Sequence, residues 1–158
     1  MIAISSDHAG YPLKEEIKKY LEEKGIKYTD CGAYSTDSVD YPYQAKKACD
    51  LVVSGECEKA ILCCGTGIGI SMAANKVKGI RAACCSDYFS AKFTRMHNDA
   101  NALCLGARVI GAGAAIELVD VFLNTPLEGG RHQRRVDQIT EIENMYVFLN
   151  RCRYPIIL

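Results

Sequence analysis

Apolar and polar positions along this chain fall into two alternating rhythms. Short apolar runs at Met1 to Ser5, Ile26 to Cys31, Ala60 to Cys64, Ile80 to Cys85 and Ala102 to Leu105 read as strands. The stretches between them carry apolar residues at three- and four-residue spacing and read as helices. The first opens at Pro12, a favoured early-helix residue, places Leu13, Ile17, Tyr20 and Leu21 on one face, and stops at Gly25. A second spans about Tyr43 to Ser54, a third runs from near Ile68 to Lys78-Gly79, a fourth from Tyr88 to about Met96 with Asp87 as its N-cap, and a fifth from about Ala114 to Asn124. This alternation predicts an α/β, Rossmann-like fold: an open five-stranded parallel sheet with helices on both faces, a three-layer sandwich.

The last segment breaks the rhythm. Leu127 to Arg135 reads as a flexible basic turn, and the helix after it spaces Val136, Ile139, Ile142, Tyr146 and Leu149 as an apolar stripe. The stripe and the apolar tail Tyr154 to Leu158 need a cover, which is either the chain's own sheet or a second subunit.

Composition narrows the classes. At 158 residues the chain reads as one domain, 1–158, with lysine plus arginine and aspartate plus glutamate equal at 19 each, so no net field recruits nucleic acid or an anionic membrane. The start lacks a basic leader, and no apolar run approaches the roughly 20 residues of a membrane span, so a cytoplasmic location is expected. Nine cysteines without a CxxC, two pairs of them adjacent in sequence, read as small buried hydrophobes rather than as a disulfide or metal framework.

One stretch carries chemistry. After the third apolar run comes Cys64-Gly65-Thr66-Gly67-Ile68-Gly69, a glycine-rich bend leading into a helix. Converging amides there suit a negatively charged oxygen, and Cys64 stands at the carboxyl end of its strand, the cysteine best placed to react. The bend lacks the Lys-Ser/Thr ending of a phosphate loop and has GxGxG rather than GxGxxG spacing. Asp7-His8 after the first strand falls on the same sheet edge, where open parallel sheets bind ligands.

Seven short motifs, in order, give a resemblance. Ser6-Asp7-His8-Ala9-Gly10, Val39-Asp40-Tyr41-Pro42, the Cys64–Gly69 bend, Ala73-Ala74-Asn75-Lys76, His97-Asn98, Leu105-Gly106-Ala107-Arg108 and Gly130-Arg131-His132 together resemble the ribose-5-phosphate isomerase B family, which also contains the galactose-6-phosphate isomerase subunits. The resemblance implies an aldose–ketose isomerase that moves a proton between C2 and C1 through a cis-enediolate, with no metal and no cofactor. By that resemblance Cys64 is the base, since Ile70 stands where some relatives carry a carboxylate. Gly65, Gly67, Ile68 and Gly69 cradle the oxyanion, with Thr66 adding its hydroxyl. His97 relays protons in opening the furanose ring. Asp7 and Asn98 hold sugar hydroxyls, and Tyr41 either flanks them or only packs. His8, Arg108, Arg131 and Arg135 take the phosphate, whereas Arg81, His132 and Arg134 read as solvated or helix-supporting. The implied partner is a second copy of the chain, in a homodimer or a tetramer, whose His97, Asn98 and Arg108 complete the site; the segment 131–158 lies at that interface. The substrate is ribose 5-phosphate or a six-carbon aldose 6-phosphate. Outside the resemblance, a non-catalytic sugar-phosphate sensor and a nucleotide-binding domain remain as readings of the glycine bend.

Overall fold

The computed structural model describes residues 1–153, and the side chains of residues 1–145. Five strands alternate with helices: β1 (Ile2–Ser6), α1 (Tyr11–Glu23), β2 (Tyr28–Asp30), α2 (Tyr41–Val53), β3 (Lys59–Cys64), α3 (Ile68–Ala74), β4 (Ala82–Cys84), α4 (Tyr88–Asn98), β5 (Ala102–Gly106), α5 (Ala112–Asn124) and α6 (Arg131–Arg153). The sheet is wholly parallel, in the order β2-β1-β3-β5-β4.

That order fixes the layers. The crossovers β1→β2 and β4→β5 move one way across the sheet and β2→β3 and β3→β4 the other, so right-handed connections put α1 and α4 on one face and α2 and α3 on the opposite one. Two apolar clusters follow. Ile4, Ile17, Leu21, Ile61, Leu103, Val119 and Phe122 fill the α1/α4/α5 side, and Ala45, Cys49, Leu62, Ile70 and Cys104 the α2/α3 side. Because side chains alternate along β3, Cys63 faces the first cluster and Cys64 the second. β1 and β5 are buried along their whole length and β3 from Ala60 on, which is why they read as continuous apolar runs.

The edge elements depart from expectation. β2 and β4 are three residues each, shorter than the runs Ile26–Cys31 and Ile80–Cys85, because each has a pairing partner on one side only. α2 begins at Tyr41, with Pro42 in its first turn, and α5 at Ala112. α3 closes at Ala74 rather than near Lys78. The basic turn expected before the last helix is largely helical, since α6 starts at Arg131. Val136 is buried against the rest of the chain, while Ile139, Ile142 and Met145 are 44%, 55% and 59% exposed. The side chains of Tyr146 and Leu149 and the tail Tyr154–Leu158 lie outside the described residues. Among the described residues, no helix is long and apolar enough to cross a membrane.

Candidate active site

The glycine bend lies at the carboxyl edge of the sheet, between the ends of β1 and β5. Gly67 adopts φ 79°, the left-handed region open to glycine, and its amide donates to Cys64 Sγ at 3.1 Å. The sulfur is therefore held by the loop that follows it, at the rim of the core, with Cys64 only 4% exposed. Thr66 is exposed, and its Oγ1 accepts from the Ile68 amide at 3.3 Å. Two of the amides expected to face a ligand, those of Gly67 and Ile68, are thus engaged by Cys64 and Thr66. The neighbouring Cys63 is fully buried on the opposite face, and burial pushes its thiol far above the ordinary value.

Around this bend stand four of the other expected residues. Asp7 is buried, and its Oδ1 accepts from the Gly10 amide at 2.8 Å, closing the turn between β1 and α1. His8 Nδ1 lies 3.3 Å from both the amide and the carbonyl oxygen of Val39, which pins the 32–40 loop over the site. The ring of Tyr41 covers Gly69: a Cβ built on that glycine would lie 2.8 Å from Tyr41 Cζ. The Arg108 guanidinium lies over Gly65, with Nη1 3.5 Å from a Cβ built there, and the Arg108 amide donates to Gly65 O at 3.0 Å. This corrects one expectation. Arg108 follows β5 and belongs to the same chain's Cys64 edge, not to the set carried with His97.

The remaining expected residues occupy the other edge of the sheet. α4 runs back across the face after β4, so its last turn lies where β5 begins. His97 and Asn98 are that last turn, not a loop, and Asp99 follows in the left-handed conformation as the C-cap. Arg95 and Arg81 both pair with Asp99, at 2.7 and 2.8 Å, and Arg81 also donates to the Asn98 carbonyl at 3.1 Å, so the end of α4 is firmly held. The five residues of β5 separate this edge from Cys64, and at about 3.3 Å per residue that is roughly 15 Å. No single chain brings His97 to Cys64.

α6 begins beside His97. The Glu128 amide donates to Met96 O at 3.0 Å, and the rings of His97 and His132 stack at 3.9 Å between centroids with 4° between planes. Arg131 Nε donates to His132 Nε2 at 3.2 Å. Arg131 and Arg135, one turn apart at the start of α6, are exposed at this edge. His132 was expected to be solvated or helix-supporting, and the first alternative fails, because it is 4% exposed. Burial first, and His97 second, push its pKa below the ordinary 6.5.

Ligand atoms of His97, Glu128 and His132 lie within 4.8 Å of one another, a set that could in principle hold a metal ion. The near-parallel rings argue against it. Stacked imidazoles send their nitrogen lone pairs along separate planes, and a metal needs both lone pairs to converge at about 2 Å.

The chain thus carries the expected site residues in two sets at opposite edges: Asp7, His8, Tyr41, Cys64–Gly69 and Arg108 at one, and His97, Asn98, Arg131 and Arg135 at the other. The ribose/galactose isomerase family matches residues 2–139. The chain belongs to that family. It is 49% identical over 142 residues to ribose-5-phosphate isomerase B of Escherichia coli, covering 90% of this chain and 95% of that protein. Its structure resembles that of ribose-5-phosphate isomerase B from Clostridium thermocellum with a TM-score of 0.90 and 50% identity, covering 92% and 98% of the two chains. The same isomerase from Mycoplasma genitalium, solved with bound ribulose-5-phosphate, superposes with a TM-score of 0.86 at 43% identity, over 90% and 95% of the two chains. The shared fold is the five-stranded parallel sheet flanked by helices.

Proposed function

We propose that this chain interconverts ribose 5-phosphate and ribulose 5-phosphate in a homodimer whose two sites each combine the Cys64 edge of one subunit with the His97 edge of the other. The observation that carries the reading is the placement of Cys64. Its sulfur sits under the Gly67 amide at the carboxyl end of β3, on the sheet edge that also carries Asp7, His8, Tyr41 and Arg108. The pairing of subunits is supported by the separation of the two residue sets and by the apolar face of α6 left open at Ile139, Ile142 and Met145.

The reaction proceeds in three steps on these groups. His97 takes the proton from the C1 hydroxyl of the furanose and returns one to the ring oxygen as the C1–O4 bond breaks, leaving a free aldehyde; imidazole suits this exchange near neutrality. Cys64, as thiolate, removes the proton from C2 and delivers it to C1, while a proton passes between O1 and O2. Loop amides other than those of Gly67 and Ile68, which bond Cys64 and Thr66, stabilise the enediolate charge, each well-placed donor contributing about 3 kcal/mol. His8 and Arg108 from one subunit and Arg131 and Arg135 from the other grip the phosphate, the arginine forks matching its oxygens in pairs.

Turnover on ribose 5-phosphate, allose 6-phosphate and galactose 6-phosphate tests the assignment. The first substrate is expected to be turned over fastest, and a preference for either hexose phosphate would overturn the choice of sugar. A Cys64→Ala variant is expected to bind ribose 5-phosphate without isomerising it. Unchanged turnover in that variant would remove the thiol from the mechanism.

A further inference from the structure

We infer that Glu128 and His132 are positioning residues for His97, holding its ring in one orientation and one tautomer for ring opening. The inference rests on the proposed role of His97 and adds two residues to it. Three contacts define the arrangement. The His97 ring stacks on His132 at 3.9 Å with 4° between planes and meets Phe93 in an edge-to-face pair at 4.8 Å. Glu128 Oε2 lies 3.4 Å from His97 Nε2 and 3.7 Å from His132 Nε2.

Each contact constrains a different degree of freedom. Two rings packed against it limit rotation about the side chain's second torsion, which is otherwise broad for histidine. A carboxylate is an acceptor only; at 3.4 Å from Nε2, and outside hydrogen-bond geometry, it acts on that nitrogen through its charge, which favours the proton on Nε2 and leaves Nδ1 as the nitrogen with a lone pair. His132 cannot serve the same purpose as Glu128, because its Nε2 already accepts from Arg131 Nε at 3.2 Å and its buried ring is kept neutral. A neutral, flat partner is what a stacked ring needs if it is to gain and lose charge without repulsion. Besides His97 and Glu128, the charged groups acting on His132 are Arg131 and Arg135 of α6, while at the end of α4 Arg95 and Asp99, two residues either side of His97, pair with each other. Arg131 and Arg135 are cationic, so Glu128 is the one anion that faces His97 from this segment. Its backbone is tied to α4 through the Met96 carbonyl independently of its side chain, so the carboxylate can be removed without releasing the loop.

Two partial reactions separate this role from a merely structural one. Ribulose 5-phosphate cannot close a furanose ring, since its C5 oxygen carries the phosphate, so removal of its C1 proton needs no ring opening. Glu128→Met in the full-length protein is expected to slow turnover of ribose 5-phosphate roughly tenfold, a fraction of what acid–base catalysis supplies, and to leave exchange of the ribulose 5-phosphate C1 hydrogen with deuterated solvent within about twofold. Long-range proton–nitrogen NMR spectra of the 15N-labelled protein are expected to show His97 as the Nε2–H tautomer, and a mixture in Glu128→Met. His132→Phe, which keeps a flat ring in the stack, is expected to retain the forward rate that His132→Ala loses. A single His97 tautomer together with a wild-type forward rate in Glu128→Met would overturn the inference. The underlying role of His97 fails separately: His97→Asn would then convert ribose 5-phosphate at the wild-type rate, whatever the tautomer spectra show.

Discussion

Gly67 is where the backbone, the thiol and the core meet, and replacing it with alanine is a severe test of the site as described. Two costs add. At φ 79° an alanine Cβ crowds its own carbonyl, a penalty of about 1 kcal/mol. The Cβ would also lie 2.9 Å from Cys84 Sγ, 3.0 Å from Leu105 C and 3.1 Å from Gly106 N. Two of those three atoms are β5 backbone, which cannot swing away, so the bend itself must move, at about 2 kcal/mol by analogy with overpacked cores. The sum, about 3 kcal/mol, corresponds to a fall in Tm of roughly 10 °C for a chain of this size. Displacing the bend also removes the amide that holds Cys64 Sγ at 3.1 Å, and a misplacement of about 1 Å at a reacting group costs on the order of 100-fold in rate. Urea unfolding and steady-state turnover read the two losses separately. Gly65→Ala is the control: its Cβ would meet only the mobile Arg108 side chain, at 3.5 Å, so stability should stay within about 0.5 kcal/mol of wild type. A Gly67→Ala protein with wild-type Tm and full turnover would refute the geometry.

Three other outcomes are expected. Lys14 is fully buried and donates to Asp30 Oδ1, Asp30 Oδ2 and Ala33 O at 2.6, 2.8 and 2.7 Å, so Lys14→Met should cost about 3 kcal/mol in urea unfolding. Burial alone would raise the Asp30 carboxyl, but hydrogen bonds from Lys14, Lys18 and the Gly32 amide hold it below its ordinary 3.8. Its contribution is therefore complete above about pH 4 and lost as pH falls through the lower folded value; an acid titration of stability should show a smaller loss in Lys14→Met than in wild type, since Lys18 and the Gly32 amide still hold the carboxylate. Cys84 is exposed whereas Cys63 and Cys104 are fully buried with thiols pushed far up by that burial, so iodoacetamide mapped by mass spectrometry should label Cys84 and spare the other two until the chain unfolds. Ile142→Glu, on the open face of α6, should shift sedimentation toward monomer and abolish turnover together; a fully active monomer would contradict the shared site.

The sequence discloses this molecule unevenly, for physical reasons. β1, β3 and β5 stand out because strands covered on both faces must be apolar throughout, and the glycine bend stands out because few other residues tolerate its backbone. The edge strands β2 and β4 are less legible, since half of their pairing is absent and the apolar runs around them continue into turns. His97 and Asn98 were expected in a loop because their polarity breaks the apolar spacing; in the fold they form the last helical turn, held by the Arg81–Asp99–Arg95 cluster across distances that spacing does not encode. His132 was misjudged for a related reason. In sequence it is one basic residue among several, and only the approach of α6 to α4 buries it against His97. Helical spacing offered no signal for the Glu128–His132 contact, since Glu128 precedes the start of α6. Arg108 was assigned to the wrong edge, although its position directly after β5 puts it on the edge that holds Cys64.

Mixing two inactive variants, Cys64→Ala and His97→Asn, tests the shared site most directly. After co-unfolding and refolding at equal amounts, random pairing leaves one intact site in each mixed dimer, and turnover of ribose 5-phosphate should return to about a quarter of the wild-type value. If the mixture stays as inactive as its components, the thiol and the imidazole do not meet across a subunit boundary, and the proposed mechanism is wrong.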